Sequence, residues 1–320
     1  MSEAPLPVES ARPRRPRVGY AMAATAALLW GVNGAVSKVI LASDVPSDRL
    51  AQVRSAGAAL GLLAVLAVSA PQRLRVRRRE LAWLAVFGIA GLAFVQWFYF
   101  LAIHRLAIGV ALLLEYLAPL LVALWARFAY GEHVRRRVWA ALALALAGVL
   151  LIVDVHGGMP VSTAGVAFGL LAAVAYALYV LMAERVIAGR DAVSLLFFGF
   201  AFASVFWAVL VPWWSFPAGR AAAHVSLLGH LQAHRLPVWA LMSWMVVLGT
   251  IVPFFLLVSA LRHLSATRVA IVAMLEPVTA ALVARVWLGE HLAGLQLVGA
   301  AVVLAAIGLS QTAREEQTPA

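Results

Sequence analysis

Nine residues recur along this chain at one fixed distance. Leu117, Pro119, Ala123, Leu124, Ala126, Arg127, Gly131, Glu132 and His133 reappear as Leu275, Pro277, Ala281, Leu282, Ala284, Arg285, Gly289, Glu290 and His291, an offset of 158. Low complexity explains shared Ala and Leu, but not shared Pro, Arg, Gly, Glu and His at one offset. The chain therefore reads as two copies of one unit. Each copy of the stretch lies in an apolar segment long enough to cross a bilayer. Each has a glutamate beside its proline: Glu115 four residues before Pro119, and Glu276 directly before Pro277.

The rest of the sequence sets the solvent. Of its 320 residues, 64% are hydrophobic and 12% charged, with a mean hydropathy of +0.94. A soluble domain of this size has too little interior to hide that much apolar surface. The net charge of +11 does not point to nucleic acid, because the arginines sit in short loops between apolar runs, where they orient a membrane protein. The partner expected from composition is the lipid bilayer. There is no cysteine, so disulfides and thiolate ligands are excluded.

A spanning helix needs about 20 apolar residues to cross about 30 Å of hydrocarbon. Ten segments qualify: 18–41, 49–70, 80–103, 107–130, 138–155, 161–185, 192–214, 237–261, 266–288 and 293–311. Arg12, Arg14, Arg15 and Arg17 precede the first of these, which is too long for the apolar core of a signal peptide and reads as a retained helix. Of 25 basic residues, 18 fall on the side of the N-terminus and five on the other, with Lys38 and Arg54 inside spans. Both termini are thus expected in the cytoplasm. Residues 1–17 and 312–320 read as a disordered start and a cytoplasmic tail, and Ser215–Leu236 as a surface loop. The two repeats, 18–155 and 161–311, each hold five helices. An odd number forces the second to thread the membrane upside down. The expected fold is an all-α membrane protein of ten helices in two inverted five-helix repeats, with a substrate site near the midplane between them.

With this architecture the sequence resembles tandem EamA-type domains of the drug/metabolite transporter superfamily. The resemblance rests on Leu29-Trp30-Gly31 with Asn33 and Lys38, on Arg54, on Pro119 followed by Gly131-Glu132, and on Glu276-Pro277 followed by Gly289-Glu290. It covers roughly residues 18–311. It implies a secondary exporter of amino acids, other small metabolites or drugs in a bacterial plasma membrane, a monomer or homodimer without cofactor. Relatives of that superfamily exchange nucleotide sugars or phosphorylated sugars. The segment Glu115-Tyr116-Leu117-Ala118-Pro119 resembles the threonine/homoserine type of amino-acid exporter.

Glu115 and Glu276 are the residues most suited to transport. They lie roughly 12 and 15 Å into their helices at about 1.5 Å per residue. An ionised carboxylate at such depth costs at least about 2.5–3.5 kcal/mol. Either they bind a substrate amine or exchange it for a proton, or they are structural glutamates bonded to backbone freed by the prolines. Pro119 and Pro277 should break their helices at Glu115 and Ala273, as hinges or as packing bends. Trp30, Asn33, Gly34 and Ser37 share one face of the first helix. An offset of 146 maps Trp30 to Tyr176 and Asn33 to Tyr179, two polar-tipped aromatics of the sixth helix, and Gln96 and Tyr99 form a similar pair in the third. These residues either wall a cavity suited to cations and apolar metabolites or pack the bundle.

Lys38 and Arg54 could each attract a substrate carboxylate; for Lys38 a bridge to an acidic neighbour is the equal alternative, while Arg54 is expected instead to snorkel to the interface. Gly131-Glu132 and Gly289-Glu290 read as helix stops, each glutamate favoured by the dipole of the helix that follows. Trp83, Trp139, Trp213, Trp214, Trp239 and Trp287 read as an interfacial belt. His230 and His234, four apart, lack a third ligand, so no metal site is assigned. Neither metalloprotease nor nucleophile-elbow motifs occur, nor a nucleotide-binding loop, so neither an enzyme nor direct ATP drive is expected. Sugar-phosphate exchange would want several buried cations where this chain has glutamates.

Overall fold

In lipid every backbone polar group must be satisfied within its own segment, so long apolar runs become helices. The computed structural model describes residues 15–129, 136–153, 162–187, 191–260, 263–264, 269, 272–273, 275–290 and 294–315. Among them, five helices are by themselves long and apolar enough to cross a membrane: Pro16–Leu41, Ser47–Ser69, Arg78–Ile103, Val193–Leu210 and Val238–Leu257. Shorter helices occupy the remaining expected spans. In order, span one is Pro16–Leu41 and span two Ser47–Ser69. Span three is Arg78–Ile103. Span four is Ile108–Glu115 followed by Ala118–Ala129. Span five is Arg136–Val153, span six Thr163–Ile187 and span seven Ala192–Leu210. Span eight runs from Val238–Val246 through a π-helical turn, Val247–Ile251, to Val252–Ala260. Span nine contains Leu275–Val283 and the π-helical turn Ala284–Leu288, and span ten is Gly294–Glu315.

The packing carries the symmetry of an inverted repeat. Span two lies along span seven, span five along span ten, and span four against span nine. Span eight packs on span one as span three packs on span six. Each of these relations maps onto itself or its partner when the halves are exchanged. The match extends to single residues. Spans three and eight both carry a π-helical turn, Phe87–Ala93 and Val247–Ile251. Within these turns Gly91 and Gly249 stand 158 apart. A Cβ on Gly91 would come within 3.2 Å of Tyr179, and one on Gly249 would overlap Asn33. Asn33 and Tyr179 are the pair related by the offset of 146. Both glycines are therefore required for close approach between helices.

Several expectations need correction. Span one begins at Pro16 rather than after a disordered 1–17, and span ten continues to Glu315 rather than ending at 311. Pro at the first helical turn is tolerated because its missing N–H has no intrahelical partner there. Span seven stops at Leu210, four residues early, because Pro212 holds Val211 out of the helical region (φ −131°, ψ 84°). The segment Ser215–Leu236 is not a plain loop. It holds a short helix, Ala218–Ala222, and an antiparallel hairpin of β1 (His224–Ser226) and β2 (Arg235–Pro237). Arg49, 6% exposed, ties the approach to this hairpin by donating to the carbonyls of Val211, Pro212 and Ser215. Trp287 has a further task beside its place near a span end: its Nε1 donates to Leu227 O at 2.8 Å, clasping the hairpin to span nine. Trp83, Trp139, Trp213, Trp214 and Trp239 are exposed on the outside of the bundle. His230 and His234 are exposed in the hairpin's connecting loop.

Gly289 caps span nine in the left-handed region (φ 71°), as a helix stop requires. Its neighbour Glu290 behaves otherwise than expected. Oε2 accepts from Ile108 N at 3.1 Å, the first residue of span four, while Oε1 lies 2.5 Å from Lys38 Nζ, which also donates to Leu106 O. The glutamate thus serves the dipole of a helix in the opposite repeat. The first-repeat counterpart, Gly131-Glu132, lies outside the described residues.

Candidate functional site

Between the halves lies a cavity of about 260 Å³, just below the size range of small-molecule pockets, roughly 300–1,000 Å³. All eight side chains singled out from the sequence line it: Trp30, Asn33, Gln96, Tyr99, Glu115, Tyr176, Tyr179 and Glu276. Helical period accounts for this. Trp30 and Asn33 are one turn apart on span one, Gln96 and Tyr99 on span three, and Tyr176 and Tyr179 on span six, so each pair presents one face. The tyrosine rings of span six stack with centroids 5.7 Å apart, and Trp30 meets Phe254 edge-to-face at 5.1 Å. Leu92, Val95, Leu112, Leu195, Leu196 and Leu257 complete an apolar wall.

The two prolines act through the chain before them. Span four stops at Glu115 and restarts at Ala118, just before Pro119. Because Pro119 has no N–H, the carbonyl of Glu115 loses its helical donor, and the chain bends where the carboxyl enters the cavity. Pro277 likewise removes the donor for Ala273 O. That orphan carbonyl is satisfied across the repeat interface, 3.1 Å from Tyr116 Oη, and the same hydroxyl lies 2.8 Å from Glu276 Oε2. One hydroxyl proton faces two acceptors. Both contacts are full hydrogen bonds only when Glu276 carries a proton and donates it to Oη. The carboxyl of Glu115 has no hydrogen-bond partner among the described residues.

One residue of the site, Tyr116, was not anticipated, and another, Arg54, was expected to point elsewhere. Tyr116 lines the cavity, and its signal in the sequence is only its place beside Glu115 in the broken segment. Arg54 corrects the snorkelling expectation. It is 8% exposed and reaches the cavity. Its Nε donates to Thr250 Oγ1 at 2.9 Å, its Nη2 lies 3.5 Å from Gly249 O, and its Cζ stands 5.8 Å from the Phe100 ring centroid. Thr250 in turn donates to Met245 O at 3.0 Å inside the π-helical turn. The signal was depth: Arg54 lies seven residues into span two, about 10 Å from its start.

Two buried amide oxygens add acceptors. Asn33 Oδ1 and Gln96 Oε1 have no hydrogen-bond partner among the described residues, and both side chains line the cavity. A buried polar atom left unpaired costs about 1–3 kcal/mol; Asn33 Oδ1 is turned against Gly249, so a bound donor reaches it only after the amide rotates. The cavity therefore combines two carboxyls, two amide oxygens, one guanidinium and an aromatic wall. Among the described residues there is no group of three His, Asp or Glu arranged to hold a metal.

The model of the EamA-like transporter family matches twice, over residues 17–154 and 163–312. The chain is similar to the threonine/homoserine exporter RhtA of Salmonella typhimurium (strain SL1344), 29% identical over 81% of each chain, and to that of Escherichia coli (strain K12), 28% identical over 81% of each. It is also similar to an uncharacterized transporter of Archaeoglobus fulgidus, 29% identical over 72% of this chain and 75% of that one. A solved crystal structure, 21% identical, superposes with a TM-score of 0.59 over 94% of this chain and 99% of its own, and shares the fold.

Proposed function

Because the chain belongs to the EamA-like transporter family, a family of membrane transporters and not enzymes, we propose that it exports small zwitterionic or cationic metabolites, amino acids foremost, by alternating access coupled to protons. The observation that carries this reading is the shared cavity: both glutamates, from proline-bearing segments of opposite repeats, border one space with the aromatic pairs. A carboxyl in such a place either holds an amine or holds a proton, and exchanging one for the other couples the two flows. The inverted halves supply the motion, rocking about a site that stays near the midplane. Pro119 and Pro277 are the hinges in this scheme.

The bias of basic residues toward one side supports cytoplasmic termini and an outward-facing hairpin. The Lys38–Glu290 pair and the Arg49 and Trp287 ties then close the outer end, and opening outward breaks them. The RhtA relatives are named for threonine and homoserine, which makes these two the first substrates to try. Labelled threonine or homoserine, and then a wider set of amino acids, is loaded into proteoliposomes holding the purified protein, with and without an imposed proton gradient. Gradient-dependent efflux that Glu115→Gln or Glu276→Gln abolishes is the expected result. Efflux indifferent to the gradient and to both substitutions would remove the carboxyls and the proton from the mechanism.

A further inference from the structure

Arg54 is a buried cation without a counter-ion among the described residues. Among the described residues no carboxylate oxygen lies within 4.0 Å of its guanidinium. Glu115 and Glu276 are nonetheless within electrostatic reach of it. They are close enough to feel the charge and too far to pair with it.

The internal repeat tests whether the fold itself demands this charge. Gly57 of span two packs on Val246 of span eight, and Gly199 of span seven packs on span three, where Gly88 meets the carbonyl of Gly199. Gly88 and Val246 are 158 apart, which fixes the offset between spans two and seven at 142. On that register the counterpart of Arg54 is Leu196, and the counterpart of Thr250 is Leu92. Leu92 and Leu196 are buried in one apolar cluster, and both line the same cavity. The second half thus fills this place with two leucines where the first half puts an arginine held by a threonine. In the second half packing at this place is satisfied by leucine, so the guanidinium answers to something other than the fold.

Its orientation says what. A guanidinium has five N–H donors in a rigid fork. The edge formed by Nε and one Nη2 hydrogen is spent on Thr250 and Gly249. Of the remaining three hydrogens, one on Nη1 and one on Nη2 form the end-on edge, with no partner among the described residues, and that edge matches a carboxylate with two parallel hydrogen bonds. We propose that Arg54, locked by Thr250 and backed by Gly249, is the carboxylate-binding subsite of the cavity. The transported molecule then spans from Arg54 to the acceptors, with its ammonium among Glu115, Glu276, Asn33 Oδ1 and Gln96 Oε1. The site selects α-amino acids and rejects amines that lack a carboxylate. This inference rests on the transport reading of the same cavity.

The test is competition in proteoliposomes, using the neutral L-α-amino acids, their methyl esters and the matching decarboxylated amines. Wild-type protein is expected to prefer an amino acid to its ester or amine by about tenfold or more, the scale of a charge-assisted bidentate contact. In Arg54→Gln that ratio falls toward one, and in Arg54→Lys, which keeps the charge but loses the fork, it falls part of the way. A ratio unchanged in Arg54→Gln overturns the proposal. So does a wild-type protein that handles ester or amine as well as the amino acid; this second measurement needs no variant and decides the matter even where Arg54→Gln does not fold. Transport of amines and esters without amino acids leaves the transport reading standing and sinks the subsite. Transport of nothing in the panel sinks both.

Discussion

Replacing Tyr116 by Phe removes one oxygen and nothing else. The hydroxyl stands 3.1 Å from Ala273 O and 2.8 Å from Glu276 Oε2, and Ala273 O has no helical donor because residue 277 is proline. The phenyl ring keeps its packing, so the loss is polar. An unsatisfied buried carbonyl costs about 1–3 kcal/mol, and a hydrogen bond to a carboxyl that can ionise contributes about 1.5–3 kcal/mol. Cavity water recovers part of this, which leaves about 2 kcal/mol. At 1.4 kcal/mol per factor of ten, a loss borne wholly by the transport step slows it about thirtyfold. The measurements are the initial efflux rate from proteoliposomes and the melting temperature of the purified protein; both are expected to fall. A double-mutant cycle gives the mechanism a sharper edge. Pro277→Ala returns an N–H that can donate to Ala273 O, so Tyr116→Phe should cost less stability in that background than in the wild type. An unchanged rate and melting temperature for Tyr116→Phe, or a full cost that persists beside Pro277→Ala, would refute the idea that this hydroxyl serves the carbonyl freed by Pro277.

Three further outcomes follow from the packing. Glu290→Ala should destabilise more than Lys38→Met, because Glu290 both pairs with Lys38 and caps span four at Ile108 N; loss of such a cap costs about 1 kcal/mol, and the order of the two melting temperatures checks it. Gly249→Ala should destabilise by about 1–3 kcal/mol through overpacking against Asn33, and by more than Gly91→Ala, whose added methyl has 3.2 Å of room; thermal melting of the two variants decides. The chain has no cysteine, so Ser226→Cys in the hairpin is a unique label site, and a membrane-impermeant maleimide should modify it in intact cells if the hairpin faces outward, whereas protection until lysis would invert the orientation.

Much of the site was legible because helices translate spacing into faces. Trp30 with Asn33, Gln96 with Tyr99 and Tyr176 with Tyr179 needed only the helical period and the repeat offset to be placed together. Glu115 and Glu276 announced themselves by their cost in an apolar segment. Arg54 was misread because a charged side chain's direction depends on which neighbour offers a partner. Thr250 and Gly249, nearly two hundred residues away, offered one in the membrane interior. Glu290 was misassigned to the helix after it for the same kind of reason: the free N–H groups nearest its carboxylate belong to span four of the other repeat.

The sequence alone determined that this chain lives in a bilayer, that it is built twice from five helices, and that the copies run in opposite directions. Hydropathy, an odd span count and a doubled motif are local or additive properties, so they can be read in order along the chain. Only the tertiary structure decided which polar groups meet. Tyr116 with Ala273 O and Glu276, Arg54 with Thr250, Lys38 with Glu290 and Trp287 with Leu227 are all contacts between separate segments. Hydrogen bonds act over about 3 Å, a distance that spacing along a helix fixes within one segment but that only the packing of helices fixes between two.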